Sequence, residues 1–252
     1  MVEILILSLV QGITEFLPVS SSSHLLIFSK FGNFENQNLM SDISLHIGSF
    51  IAVICFFYKD LINFIKNKEL FFRILISSIP IIVIGGILVQ TNLIEKIRNI
   101  ETVAWTTLIF GILLFISDKY KLKKNIKYNF NYKSALIIGL FQVLSLIPGV
   151  SRSGITITAA RLLNFKRFDS AKISFLLSIP TLGAVTIFGL GSLLSSHNLH
   201  FSEINVLSIF FSFIISFLTI KYFLIYIKKF SLKIFVIYRV ILGLILLIIV
   251  YL

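Results

Sequence analysis

Leu9-Val10-Gln11-Gly12-Ile13-Thr14-Glu15-Phe16-Leu17-Pro18-Val19-Ser20-Ser21-Ser22-Ser23-His24 is an apolar run broken by polar groups. It is echoed 131 residues later by Leu140-Phe141-Gln142-Val143-Leu144-Ser145-Leu146-Ile147-Pro148-Gly149-Val150-Ser151-Arg152-Ser153-Gly154. Leu9 and Leu140, Gln11 and Gln142, Val19 and Val150, Ser20 and Ser151, and Ser22 and Ser153 coincide. The two copies set a carboxylate, a histidine, an arginine and many hydroxyls into a strongly apolar chain. Polar groups are costly at such depth, so they usually mark a site.

The surrounding sequence is that of a membrane protein. The chain has 252 residues, 57% of them hydrophobic and only 13% charged, against about a quarter charged in a soluble domain. Runs near the roughly 20 residues that cross a bilayer cover Leu70–Gln90, Thr102–Ser117, Lys172–Leu194, Ile204–Ile227 and Ile234–Leu252. Shorter ones cover Ile43–Tyr58 and Ser134–Ile147. No polar stretch is long enough to build a separate soluble core, so residues 1–252 are expected to form one integral-membrane domain. Met1–Leu9 lacks the basic start and the cleavage site of a signal peptide and reads as the beginning of a retained helix. The lone Cys55 excludes an intrachain disulfide and a cysteine-built metal site; it is expected to be an inert packing thiol.

The net charge of +12 is not the mark of a nucleic-acid partner. All lysines and arginines except Lys30, Lys96, Arg98 and Arg152 fall into four clusters at span ends: Lys59–Arg73, Lys119–Lys133, Arg161–Lys172 and Lys221–Arg239. Cytoplasmic loops are enriched in this way. With those clusters inside, Phe31–Asp42 and Ser195–Glu203 become outer loops, and Lys59–Lys68 and Lys119–Lys133 inner ones. Residues 134–167 then start and finish on the inner side. Ser134–Ile147 would descend, Pro148-Gly149 would turn, and Ser151–Phe165 would return. Met1–Leu17 and Ser20–Phe31 form the matching hairpin from the outer face. An odd number of spans separates the two, which makes an inverted-topology repeat with halves of about 1–117 and 118–252. The expected fold is therefore all-α and polytopic, with about eight membrane-crossing or hairpin-forming helices and two short re-entrant ones. The competing reading is that Pro18 and Pro148 only kink ordinary spans.

Each break restarts as a helix on small polar residues, Ser20–Ser23 and Ser151–Gly154. Serine caps helix N-termini, and the free N–H groups there bind anions such as phosphate. Ser20, Ser22, Ser151 and Ser153 are thus candidate anion ligands, with Gly149 and Gly154 leaving room for close backbone approach. Arg152 adds a permanently charged fork suited to phosphate oxygens. Gln11 and Glu15, four apart, share a helix face and could ligate Mg²⁺ or Ca²⁺ beside phosphate oxygens. Glu15 can otherwise serve as a base. His24 can move protons near neutral pH, and Ser21 is a nucleophile if a base adjoins it. Together these are parts for phosphoryl transfer. His46 reads as a packed residue, and His197 and His200 as solvated loop residues.

At these residues the chain resembles the undecaprenyl-diphosphate phosphatase family, also called bacitracin-resistance proteins. That family carries a Glu/Gln-x-x-x-Glu motif running into Pro-Val-Ser-Ser and a histidine, here Gln11 to Glu15 and Pro18 to His24. It also carries Pro-Gly-x-Ser-Arg-Ser-Gly-x-Thr, here Pro148 to Thr156. Phe175–Pro180 and Tyr238-Arg239 with Gly243 look like further family segments. The resemblance implies a multi-pass enzyme of the bacterial inner membrane that hydrolyses undecaprenyl diphosphate to the monophosphate and recycles the carrier for cell-wall synthesis. It implies a divalent cation and a site open to the periplasm. Glu15, His24, Ser21 and Arg152 would be essential, with Gln11, Ser20, Ser153 and Thr156 in support. His24 would activate Ser21 or orient water, and protonate the leaving oxygen. Gln11 stands in place of the commoner glutamate, and Ser23 where glycine often precedes the histidine. Expected partners are the polyprenyl diphosphate and membrane lipids, with a homo-oligomer allowed. The rival reading is a lipid-phosphate flippase or anion transporter built on the same midplane site.

Overall fold

In a computed structural model of the chain the described residues are 2–31, 39–66, 68–91, 97–119, 123–195 and 202–252. They form twelve α-helices and no strand. These are α1 (Val2–Thr14), α2 (Ser21–Phe31), α3 (Leu39–Phe56), α4 (Tyr58–Lys66), α5 (Lys68–Gln90), α6 (Ile100–Asp118) and α7 (Ile126–Asn129). They continue as α8 (Tyr132–Val143), α9 (Arg152–Leu162), α10 (Arg167–Ser195), α11 (Glu203–Lys229) and α12 (Lys233–Tyr251). Helices α5, α6, α10, α11 and α12 are long and apolar enough to cross a membrane. A sixth such span arises if α3 and α4, bent by 69° about Phe57, are taken as one. Lys59–Lys68, expected as a loop, is thus largely helical: Tyr58–Lys66 alternates apolar and charged residues at helical spacing. His197 and His200 lie outside the described residues.

The helices flanking each break pack against one another, α1 on α2 and α8 on α9, as the arms of a hairpin must. Around them α3 packs on α11, α12 on α6 and α5 on α8. Lipid tails are as apolar as leucine, so such pairs are held by close packing and hydrogen bonds rather than by escape from water. Between α3 and α11 the Ser49 hydroxyl lies 3.2 Å from that of Ser212 and 2.9 Å from that of Ser216, and Ser212 donates to Leu45 O at 2.7 Å. Between α5 and α8, Gly139 lets the Ser77 backbone come so near that a Cβ would lie 2.9 Å from the Ser77 Cα and C atoms. Ser77 Oγ also donates to Ala135 O at 2.8 Å. The main core draws on both halves of the chain, with Phe16, Val53, Ile157, Phe175 and Phe223 in one cluster. Outer faces stay apolar: Ile79, Val83 and Ile87 on α5 are each more than half exposed, a stripe suited to lipid. Cys55 is exposed on α3 rather than packed inside.

Most of the basic clusters gather at one end. Lys172 pairs with Asp60 at 2.6 Å, Asp169 accepts from the Ile126 amide at 3.0 Å, and Lys124 exchanges backbone bonds with Asn164 and Lys166. Asp118, at the end of α6, accepts from Arg167 at 2.7 Å and 2.9 Å and from the Leu232 amide at 3.0 Å, and pairs with Arg161 at 3.3 Å. Arg161 is therefore a buried partner of Asp118 and not a loop charge.

Candidate active site

The two breaks meet. After α1 the chain turns through Glu15–Val19 and enters α2 from Ser20, whose φ is +79°. After α8 it makes one turn of 3-10 helix, passes Gly149 at φ +95°, and enters α9 from Ser151 at φ +70°. A side chain in this left-handed region crowds the following carbonyl, so equivalent serines carry the same strained backbone. Ser151 caps α9 by accepting from the Gly154 amide at 3.1 Å. Ser20 instead turns its hydroxyl to Ser23 at 2.9 Å and Ser22 at 3.3 Å.

Three links tie the turns together. Ser153 donates to Leu17 O at 2.7 Å, and Arg152 to Glu15 Oε1 at 2.7 Å. The third is Arg239 of α12, wholly buried. Its guanidinium donates to Pro18 O at 3.3 Å, Val150 O at 3.0 Å, Gly149 O at 2.9 Å and Thr107 O at 3.2 Å. By sequence Arg239 counts with the inner-loop cluster Lys221–Arg239. It is instead the clip behind both turns, and its position inside the apolar run Ile234–Leu252 was the available signal.

Glu15 is the hub. Its Oε2 accepts from Gln11 Nε2 at 3.1 Å and from the Ser21 hydroxyl at 2.7 Å, and its Oε1 holds Arg152. Arg152 also donates to Ser174 O at 3.2 Å. A cavity of about 190 Å³ opens beside this group. Glu15, Ser20, Ser21, Ser22, Ser151 and Arg152 line it, together with His46, Ser145 and Thr181. Ordinary small-molecule pockets run to about 300–1,000 Å³, so this one suits a phosphate headgroup whose chain stays outside.

Four expected phosphate ligands, and Gln11 of the expected cation pair, do not line the cavity. Gly149 packs on α6, where a Cβ would meet the Thr106 side chain and lie 2.9 Å from Val103 O. Gly154 makes way for Arg239, since a Cβ there would lie 2.9 Å from a guanidinium nitrogen. Ser153 is spent on Leu17 O, and Thr156 donates to Ser174 Oγ at 2.7 Å. All four hold the second turn rather than face a ligand.

The direct meeting of His24 with Ser21 is also not found. His24 Nδ1 lies 2.6 Å from Ser20 O and its Nε2 2.5 Å from Tyr238 Oη, with the two rings stacked. Both nitrogens are engaged away from the cavity. His46, expected to be packed, is half-buried and stands in the cavity wall. A single span gave no sign of which neighbours its face would meet.

Gln11 and Glu15 also bear on the cation. Gln11 Oε1 is buried without a hydrogen-bond partner, beside a carboxylate that has lone pairs to spare. Among the described residues no cluster of three or more His, Cys, Asp or Glu forms. The donors here are oxygens, as Mg²⁺ and Ca²⁺ require, and Mg²⁺ commonly takes one carboxylate plus substrate phosphates. The residues present fit such an ion.

Comparison with known proteins gives a consistent result. The family model described as bacitracin resistance protein BacA matches residues 4–245. The chain is 49% identical to the undecaprenyl-diphosphatase of Pelagibacter ubique (strain HTCC1062), over 99% of this chain and 98% of that one. It is 40% identical to the undecaprenyl-diphosphatase of Saccharophagus degradans, over 94% and 93%. With that of Jannaschia sp. (strain CCS1) the identity is 36%, over 98% and 97%.

Proposed function

The chain belongs to the bacitracin resistance protein BacA family, and we infer that it does what its relatives are named for, hydrolysing undecaprenyl diphosphate to undecaprenyl phosphate and inorganic phosphate. It is a membrane hydrolase, and the reaction recycles the lipid carrier for peptidoglycan synthesis and underlies bacitracin resistance. The reading extends to the bacterial inner membrane, with the site open to the periplasm. In support, the basic clusters that mark a cytoplasmic face gather at one end. Ile81 and Thr181 of the cavity lie eight and nine residues along their helices from Arg73 and Lys172, roughly 12 Å toward the other end at 1.5 Å per residue. The halves are read as inverted copies, an arrangement supported by the matching Ser20 and Ser151 backbones.

One observation carries the chemistry: the Ser21 hydroxyl donates to Glu15 while Arg152 holds the other carboxylate oxygen. A nucleophile bonded to a base, with the base oriented by a third group, is the arrangement that nucleophilic catalysis needs. Ser21 Oγ attacks the terminal phosphorus and its proton passes to Glu15. The bond from phosphorus to the bridging oxygen breaks, and its electron pair leaves with undecaprenyl phosphate. Water then releases phosphate from Ser21, which recovers the proton from Glu15. Arg152 has N–H groups left over for phosphate oxygens, and the hydroxyls of Ser20, Ser22 and Ser151 complete the cradle. His24 is a positioning residue, tying the Ser20 carbonyl to Tyr238. A divalent cation held by Glu15 and Gln11 Oε1 would supply neutralisation of the diphosphate charge.

Purified protein given polyprenyl diphosphate labelled in the terminal phosphate tests this reading. Glu15→Gln and Ser21→Ala should each lower phosphate release by about 10²-fold or more, the usual worth of a positioned base, and chelator should suppress it. Acid quenching should leave label on Ser21. Full activity in either variant would refute the assignment, and no label at early times would replace Ser21 by water as the attacking group.

A further inference from the structure

We propose that His46 is a catalytic residue that orients the attacking water through Nε2; this rests on the hydrolase reading above. His46 lies on α3, and its ring stands in the wall of the cavity that holds Glu15, Ser21 and Arg152. Its Nδ1 lies 2.7 Å from Asp42 O, one turn back on the same helix. A carbonyl only accepts, so Nδ1 carries the proton and Nε2 of the neutral ring carries a lone pair. Among the described residues Nε2 has no hydrogen-bond partner.

Three other hydroxyls of the wall are turned to the backbone. The Thr14 hydroxyl donates to Val10 O at 2.6 Å, that of Ser145 to Gln142 O at 2.7 Å, and that of Thr181 to Leu177 O at 3.0 Å. Glu15 already accepts from three donors. His24 has both nitrogens engaged elsewhere. His46 Nε2 is a strong acceptor of the wall that no donor among the described residues uses.

Phosphoryl transfer runs through a loose transition state with little bonding to the attacking oxygen, so the water needs aiming more than deprotonation. One water O–H donates to Nε2, which turns an oxygen lone pair toward the phosphorus on Ser21. As the new P–O bond forms, the P–Oγ bond breaks and its pair returns to Oγ, which takes the proton held by Glu15. Both water hydrogens leave with the phosphate. No proton is transferred to the imidazole, so an amide oxygen at this position can do the same work.

Steady-state phosphate release from polyprenyl diphosphate by His46→Ala and His46→Gln, beside the unsubstituted protein, tests this. His46→Ala should lose about 10- to 100-fold in kcat with KM within about threefold, as expected for an interaction used in the transition state. His46→Gln should stay within about fivefold of the parent. Parental turnover in His46→Ala, or a His46→Gln protein as slow as His46→Ala, overturns the proposal. Gel filtration of each variant in detergent separates loss of fold from loss of chemistry. An inactive parent would defeat the hydrolase reading itself, whereas an active parent matched by His46→Ala defeats only the role of His46.

Discussion

Substituting methionine for Arg239 keeps the length of the side chain and removes its fork of donors. Four carbonyls lose a charged partner. Thr107 O lies within α6 and retains its helical amide, and Gly149 O keeps the Thr107 hydroxyl at 3.5 Å, but Pro18 O and Val150 O are left without a donor. A buried acceptor stripped of its donor costs about 1–3 kcal/mol, so the two together amount to about 2–6 kcal/mol on the same basis. Not having to bury the guanidinium offsets part of this, leaving a net loss of about 3 kcal/mol. At roughly 2–4 °C per kcal/mol for a chain of this size, the apparent Tm in detergent should fall by about 10 °C. Activity should fall further, because both turns lose their common anchor and a displacement of about 1 Å can cost about 10²-fold. Arg239→Lys restores the charge without the fork and should lie between. The assays are thermal denaturation and phosphate release on the same preparations. A methionine variant with parental Tm and parental turnover would refute the clip.

Two further substitutions probe the frame. Asp118→Asn keeps the shape of the side chain but leaves the buried Arg161 without its counter-charge; breaking a buried pair costs about 3–5 kcal/mol, so thermal denaturation should show a drop of about 10 °C, and an unchanged Tm would mean that the pair is idle. Gly139→Val drives a side chain into the Ser77 backbone, which cannot swing aside; overpacking of this kind costs about 1–3 kcal/mol or more. Because α8 leads into the second turn, phosphate release should fall in Gly139→Val although residue 139 does not line the cavity, and parental stability with parental activity would contradict the close approach.

What could be read from the sequence was what local pattern encodes. Apolar runs gave the long helices to within a few residues, and the i, i+4 spacing of Gln11 and Glu15 gave their hydrogen bond. The duplicated motif gave the meeting of the turns, where Glu15 and Arg152 now pair across 137 positions. The errors came where an identity has two meanings. A charge near a span end can stay exposed, as Lys228 and Lys229 do, or turn inward, as Arg239 does, and periodicity does not separate them. Motif glycines read as room for a ligand, but Gly154 makes room for a guanidinium supplied from 85 residues away. His46 belongs to no motif, and only the packing of α3 brings it to the cavity.

The bond from Arg239 to the Pro18 carbonyl spans 221 positions. Ribosomes add about 5–20 residues per second, so the first hairpin waits on the order of ten to forty seconds for the side chain that anchors it. During that interval it must shelter in the insertion machinery or among lipids with its turn carbonyls unclaimed. The protein gains its working centre in one late event of biogenesis, when α12 arrives, and a nascent chain halted short of residue 239 holds the motif residues of both turns but not the clip that joins them.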